Sequence, residues 1–266
     1  MRHLLGLLGL LAGASIVSPA AIGQDHAAIA SVSVPVVQPL PGRVRVAVID
    51  SGIARTPELQ ALVTSEFDMA AEPARPAFRP RDNHGTMVAT ILAREAKRPV
   101  EIISLRIDDP AGCPVGFNPP CQGSAAPVAG AIRKAMDLGV SAINISLAMK
   151  DDPLIVEAVR AAAARGILVI LAAGNDGHDR PSNLGAARAA YPGAVLVGAL
   201  DAQGQPWKGT NRPEADTTGY RYVWQRGVGV PTALADGSGA MATGTSFAAP
   251  IETAHLLDMR VAQPGA

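Results

Sequence analysis

Ile167-Leu168-Val169-Ile170-Leu171-Ala172-Ala173 runs without a polar residue, and Gly174-Asn175 closes it. A strand with one face in water alternates apolar and polar side chains. One with no polar residue is covered on both faces, as the strands of a parallel sheet are. Working outward, Pro153 to Arg165 is an Ala-rich helix stopped by Gly166. Val140 to Leu147 is a strand, and Pro127 to Leu138 a helix with Pro at its start. Val100 to Ile107 and Val44 to Ile49 are further strand-like runs, the latter ending at Asp50. Between them, His84 to Arg98 repeats at helical period, with Met87, Val88, Ile91 and Leu92 on one face. Downstream, Ala194 to Leu200 is a strand, Asp201 to Gly227 is polar and irregular, and Ser246 opens a last helix. Strands alternating with helices predict an α/β fold in three layers, a mostly parallel sheet with helices on both faces. Sites in such sheets form at the carboxyl ends of strands. Asp50 ends one strand and Gly174-Asn175 follows another.

The chain has 266 residues, 48% hydrophobic and 17% charged, which suits one packed α/β domain and excludes disorder. Its formal net charge is zero and its basic residues are scattered, so neither a nucleic-acid partner nor an acidic-lipid partner is expected. Arg2 and His3 precede an apolar, Leu-rich run from Leu4 to Val17. Small residues follow at Ser18-Pro19-Ala20 and Ala21-Ile22-Gly23. Residues 1–23 read as an export signal cleaved after Ala20 or Gly23, giving a secreted or periplasmic protein with no stable membrane association. An uncleaved anchor is the alternative, since no charge lies between Leu4 and Gln24 and that span reaches across a bilayer of ~30 Å. Residues 24–42 form an extended lead-in and 43–266 the folded domain, with no internal repeat or dividing linker. The two cysteines, Cys113 and Cys121, bracket a Pro- and Gly-containing loop. In an oxidising compartment a local disulfide is expected, two free thiols being the alternative. No His or further Cys lies nearby, so no metal is expected there.

Three short stretches carry chemistry: Val48-Ile49-Asp50-Ser51-Gly52, Asn83-His84-Gly85-Thr86 and Gly244-Thr245-Ser246-Phe247-Ala248-Ala249-Pro250. A serine hydroxyl is a weak nucleophile until a base takes its proton, and that base needs an orienting anion. Ser246, His84 and Asp50 supply those three roles, in one of the chain orders known to build them. Taken singly, Asp50 reads as a turn former, His84 as a helix-start histidine, and Thr245 or Ser246 as a helix cap. A carboxylate ending an apolar strand needs a partner, because burying it alone is costly, and His84 is the natural one.

On these stretches the chain resembles the subtilases, the subtilisin-like serine proteases, from about Arg43 to Leu257. The resemblance implies a subtilisin-like fold and peptide-bond hydrolysis without a cofactor. It makes Asn175 the amide donor of the oxyanion hole, beside the backbone N–H of Ser246. It makes Ser146-Leu147-Ala148 the strand that pairs with an extended peptide and walls its first side-chain pocket. Ala172-Ala173-Gly174 would be the other wall and Ala190 the floor. Where the family has two glycines, this chain has Ala148-Met149. Met87 and Thr90 also depart from the family pattern, at positions without chemistry. The helix from His84 lacks the Asn-rich, Gly-containing loop of the strongest family calcium site, so no such site is expected. The lead-in of 19 residues is too short for the family's propeptide domain, and 20 residues follow Ser246. An unidentified folding or inhibitory partner is therefore allowed. The expectation is an exported serine endopeptidase acting on peptides or proteins. The alternatives are a silent peptide-binding or chaperone-like module on the same scaffold, and an esterase or amidase for small acyl groups.

Overall fold

A computed structural model describes residues 40–115, 119–149 and 151–261. The expected export signal and most of the lead-in lie outside the described residues.

The first strand, β1 (Val44–Asp50), is an interior strand of the sheet. Its side chains alternate between two cores. Ala47 and Ile49 join one cluster, Val46 and Val48 the other, and all four are fully buried. The same alternation holds in β5 (Leu168–Ala172), where Val169 and Leu171 face one way and Leu168 and Ile170 the other. Two-sided burial is what an unbroken apolar run demands.

The remaining strands of this sheet are β2 (Val63–Asp68), β3 (Val100–Arg106), β4 (Ala142–Ile145), β6 (Ala194–Leu200) and β7 (Arg221–Arg226). The order is β2-β3-β1-β4-β5-β6-β7, every pairing is parallel, and β1 lies between β3 and β4. One face carries α2 (Ala126–Asp137), α3 (Pro153–Ala164) and the short α4 (Leu184–Ala189). The other carries α1 (His84–Glu95) and α5 (Thr245–Val261), which pack on each other and on the sheet. This is the three-layer α/β architecture expected. An antiparallel hairpin, β8 (Val230–Ala233) with β9 (Gly239–Ala242), precedes α5. Among the described residues, no helix is long and apolar enough to cross a membrane.

Several elements correct the sequence reading. Strand β7 lies inside Asp201 to Gly227, expected to be irregular, and β2, α4 and the hairpin were not anticipated. The edge strands are only partly buried, so Val63-Thr64-Ser65-Glu66-Phe67-Asp68 and Arg221-Tyr222-Val223-Trp224-Gln225-Arg226 need no continuous apolar run. Helix α1 ends at Glu95, three residues short of Arg98.

Candidate active site

The first strand ends on a buried carboxylate. Asp50 is 1% exposed, and its Oδ1 accepts from the backbone N–H of Ser51 at 2.7 Å. The turn that follows is held from β2 and β3. Glu66 accepts from the backbone N–H groups of Ile53 and Phe78 and from the hydroxyl of Ser104. Helix α1 then starts directly against this turn. A Cβ at Gly85 would stand 2.3 Å from the carbonyl oxygen of Gly52, so only glycine lets the helix start come so close. The approach places His84 on Asp50. Its Nδ1 lies 2.9 Å from Oδ1 and 3.0 Å from Oδ2. With Nδ1 donating to the carboxylate, Nε2 is left as the acceptor of the neutral ring.

Burial works against the imidazolium, but the charge and hydrogen bonding of Asp50, with the charge of Asp82, outweigh it. The His84 pKa is raised above its ordinary 6.5. Its ring also stacks obliquely on Phe247, with centroids 5.4 Å apart.

Ser246 sits in the first turn of α5, where backbone N–H groups and the helix dipole favour negative charge. It is 8% exposed and shares one cleft with His84 and Asn175. The cleft holds about 520 Å³. Asn175 follows β5, and its Oδ1 accepts twice from Thr245, from the backbone N–H at 2.8 Å and the hydroxyl at 2.9 Å. That fixes the amide with Nδ2 as the end free to donate. The Thr245 hydroxyl also accepts from the N–H of Gly174 at 3.1 Å. Gly174 has φ +104°, and a Cβ there would meet Asn211 Nδ2 at 2.3 Å, so the bend before Asn175 requires glycine.

The sequence-predicted contact residues divide. Ser146, Leu147 and Ala148 line the cleft beside Ser246. Ala172 and Ala173 are buried and are not among the residues that line it, and Ala190 borders a separate depression with Tyr191 and Arg160. The strand ends named as two walls are stitched together by Asn183. Its Nδ2 donates to the carbonyls of Leu147 at 2.7 Å and Ala172 at 2.8 Å, and its Oδ1 accepts from the N–H of Met149 at 2.8 Å. Cys113 and Cys121 form a disulfide with their Cα atoms 5.3 Å apart. Pro114, Pro119, Pro120, Cys121 and Gln122 border the same cleft.

Sequence reasoning missed Glu66 and Asn183 as supports, and read Thr245 only as a helix cap. Thr245 was the legible one, since it adjoins Ser246. Nothing local marks Glu66 or Asn183, which act across 13 and 36 positions.

The profile of the subtilase family matches residues 42–264. Subtilisin Savinase from Lederbergia lenta is 29% identical over 217 residues, covering 78% of this chain and 72% of that protein. A thermostable alkaline protease from Halalkalibacterium halodurans is 31% identical over 218 residues, covering 74% of this chain and 56% of that protein. The chain spans about half the length of other relatives, among them a thermophilic serine proteinase of Bacillus sp. (strain AK1) at 29% identity over 212 residues, 74% of this chain and 51% of that protein. Among solved structures, a mutant of the protease domain of PatA superposes with a TM-score of 0.65 at 25% identity, covering 82% of this chain and 80% of that one. A cold-adapted subtilisin-like serine proteinase shares the fold, with a TM-score of 0.65 at 22% identity over 81% of this chain and 76% of its own. With its profile matched over most of its length and its fold shared, the chain belongs to the subtilase family.

Proposed function

We propose that this chain is a serine endopeptidase that cleaves peptide bonds through an acyl-enzyme. The observation that carries the reading is the His84–Asp50 contact at 2.9 Å, with Ser246 in the same cleft at the start of α5. Asp50 holds the tautomer whose Nε2 is unprotonated. The Ser246 oxygen adds to the scissile carbonyl while its proton passes to Nε2. The oxygen of the tetrahedral adduct, now anionic, takes hydrogen bonds from Asn175 Nδ2 and the Ser246 N–H. The adduct collapses as the C–N bond breaks, and the imidazolium gives its proton to the leaving amine. Water then adds by the same route, its proton going to His84, and the imidazolium returns that proton to the Ser246 oxygen as its C–O bond breaks and the acid leaves. This chemistry asks for no metal or cofactor.

An extended peptide pairs with the backbone at Ser146 to Ala148, as an added strand would. Residues 1–23 direct the chain to a secreted or periplasmic location. The test is mass spectrometry of a protein mixture digested by the purified chain and by Ser246→Ala. New internal cleavage sites with the first and none with the second are expected. Turnover of small esters without peptide cleavage would assign an esterase instead, and cleavage by neither, with both folded, would leave a binding module.

A further inference from the structure

Pro250 lies inside α5 and has no N–H. The carbonyl of Ser246, four residues earlier, therefore lacks the i+4 donor that an α-helix would give it. Ser146 supplies one: its Oγ donates to the Ser246 carbonyl at 2.8 Å. The same Ser146 oxygen lies 2.9 Å from Asn144 Nδ2, which donates to it. Asn144 Oδ1 in turn accepts from the hydroxyl of Thr253 at 2.9 Å. Thr253 shares that proton with the carbonyl of Ala249, also at 2.9 Å.

Every direction in this chain is forced. A carbonyl only accepts, so Ser146 must give its single proton to Ser246. An amide nitrogen only donates, so Asn144 must offer Oδ1 to Thr253. Asn144, Ser146 and Thr253 are all at most 1% exposed, so water does not substitute for a lost link. Asn144 and Ser146 are two positions apart and point to the α5 side of the sheet. The chain thus ties the nucleophile's own peptide group to the strand end that lines the cleft.

We propose that Ser146, Asn144 and Thr253 are positioning residues that set the nucleophile Ser246 relative to that strand end. The inference rests on the reading of Ser246 as nucleophile. A reacting oxygen displaced by ~1 Å costs on the order of 10²-fold in rate, so a support of this kind shows in the chemical step. At Asn144 and Thr253 it leaves binding alone, because neither lines the cleft, whereas Ser146 does.

The test is saturation kinetics of labelling by diisopropyl fluorophosphate, which needs only the nucleophile and no knowledge of the substrate. The maximal labelling rate and the half-saturating concentration are compared for the wild-type chain, Ser146→Ala, Thr253→Val and Thr253→Ser, with folding checked by melting temperature. Thr253→Val keeps the shape and removes the donor. The expected result is a maximal rate about tenfold lower for Thr253→Val with half-saturation unchanged, a rate lower still for Ser146→Ala, and recovery in Thr253→Ser. A labelled wild-type chain with unchanged rates in both variants overturns the positioning role and leaves the protease reading standing. So does a change in half-saturation alone, or failure of Thr253→Ser to recover. An unlabelled wild-type chain overturns the protease reading and the positioning role with it.

Discussion

Thr245 holds Asn175 with both of its donors, the backbone N–H at 2.8 Å and the hydroxyl at 2.9 Å, on the single oxygen Oδ1. The residue beside Ser246 thereby aims the amide that, on the proposed mechanism, would meet the developing oxyanion. Asn175→Ala should lower kcat about 10²–10³-fold, the scale that subtilisin sets for losing such a donor, and leave KM nearly unchanged. Thr245→Val removes the hydroxyl bond and keeps the backbone one, so its kcat should fall about tenfold at unchanged KM. Steady-state kinetics on one peptide substrate separates the two parameters. A rise in KM at constant kcat for either variant would contradict the assignment.

The imidazole of His84 acts as a base only when neutral. Its pKa is raised above 6.5, because Asp50 and Asp82 overcome the opposing effect of burial. The rising limb of kcat/KM against pH should therefore lie above the ordinary histidine range. The linkage has a definite sign. A folded-state pKa above the unfolded one adds stability that is fully present below the unfolded value and is lost as pH rises through the folded value. The chain should thus give up this stability over the pH range in which it becomes active. Asp50→Asn removes the main source of the raised pKa and should move the limb of any residual activity downward. A limb at or below the ordinary histidine value in the wild-type chain would contradict the electrostatics.

Arg75 clamps Asp68 at the end of β2, with Nε 2.6 Å from its Oδ2, and reaches Asp108 at 3.0 Å. Burial alone would raise the Asp68 pKa, but hydrogen bonds from the Arg75 side chain and from the backbone of Arg75 and Ala70 lower it to about 2. Against an ordinary value of 3.8, the shift corresponds to about 2 kcal/mol, present above the unfolded pKa and lost as pH falls through the folded one. Asp68→Asn should cost about 2 kcal/mol at neutral pH and flatten the loss of stability between pH ~4 and ~2. Urea unfolding at several pH values measures both.

The Cys113–Cys121 bridge closes a short loop whose Pro114, Pro119 and Pro120 border the cleft. A short loop stabilises the fold at the low end of the usual ~2–4 kcal/mol. Fixing the rim lowers the ordering cost of binding an extended peptide. Cys113→Ser with Cys121→Ser should therefore raise KM severalfold while the melting temperature falls by only a few degrees. Loss of the fold with KM unchanged in the molecules that remain folded would show that the bridge serves stability alone.

What the sequence made legible follows from burial. Ile167 to Ala173 and Val44 to Ile49 are covered on both faces, and their composition says so. Asp50, Asn175 and Ser246 lie where such strands end or where a helix begins, and short motifs mark them. Strands β2 and β7 are half in solvent at the sheet edges, so their polar residues hide them. Asn183 was illegible for a different reason. It bridges two carbonyls from a left-handed backbone position, φ +62°, and a side chain that satisfies distant backbone groups leaves no local pattern. The same holds for Thr253, which looks like any helical residue until α5 is laid on β4.

The central claim is that Asp50 and His84 make Ser246 a nucleophile. Intact-mass spectrometry after exposure to a fluorophosphonate tests it most directly, on the wild-type chain beside Ser246→Ala and His84→Ala, each shown to be folded. The account predicts a single adduct on the wild-type chain, mapped to Ser246 by peptide digestion, and none on either variant. An adduct on another residue, or equal labelling of the folded His84→Ala chain, would contradict it.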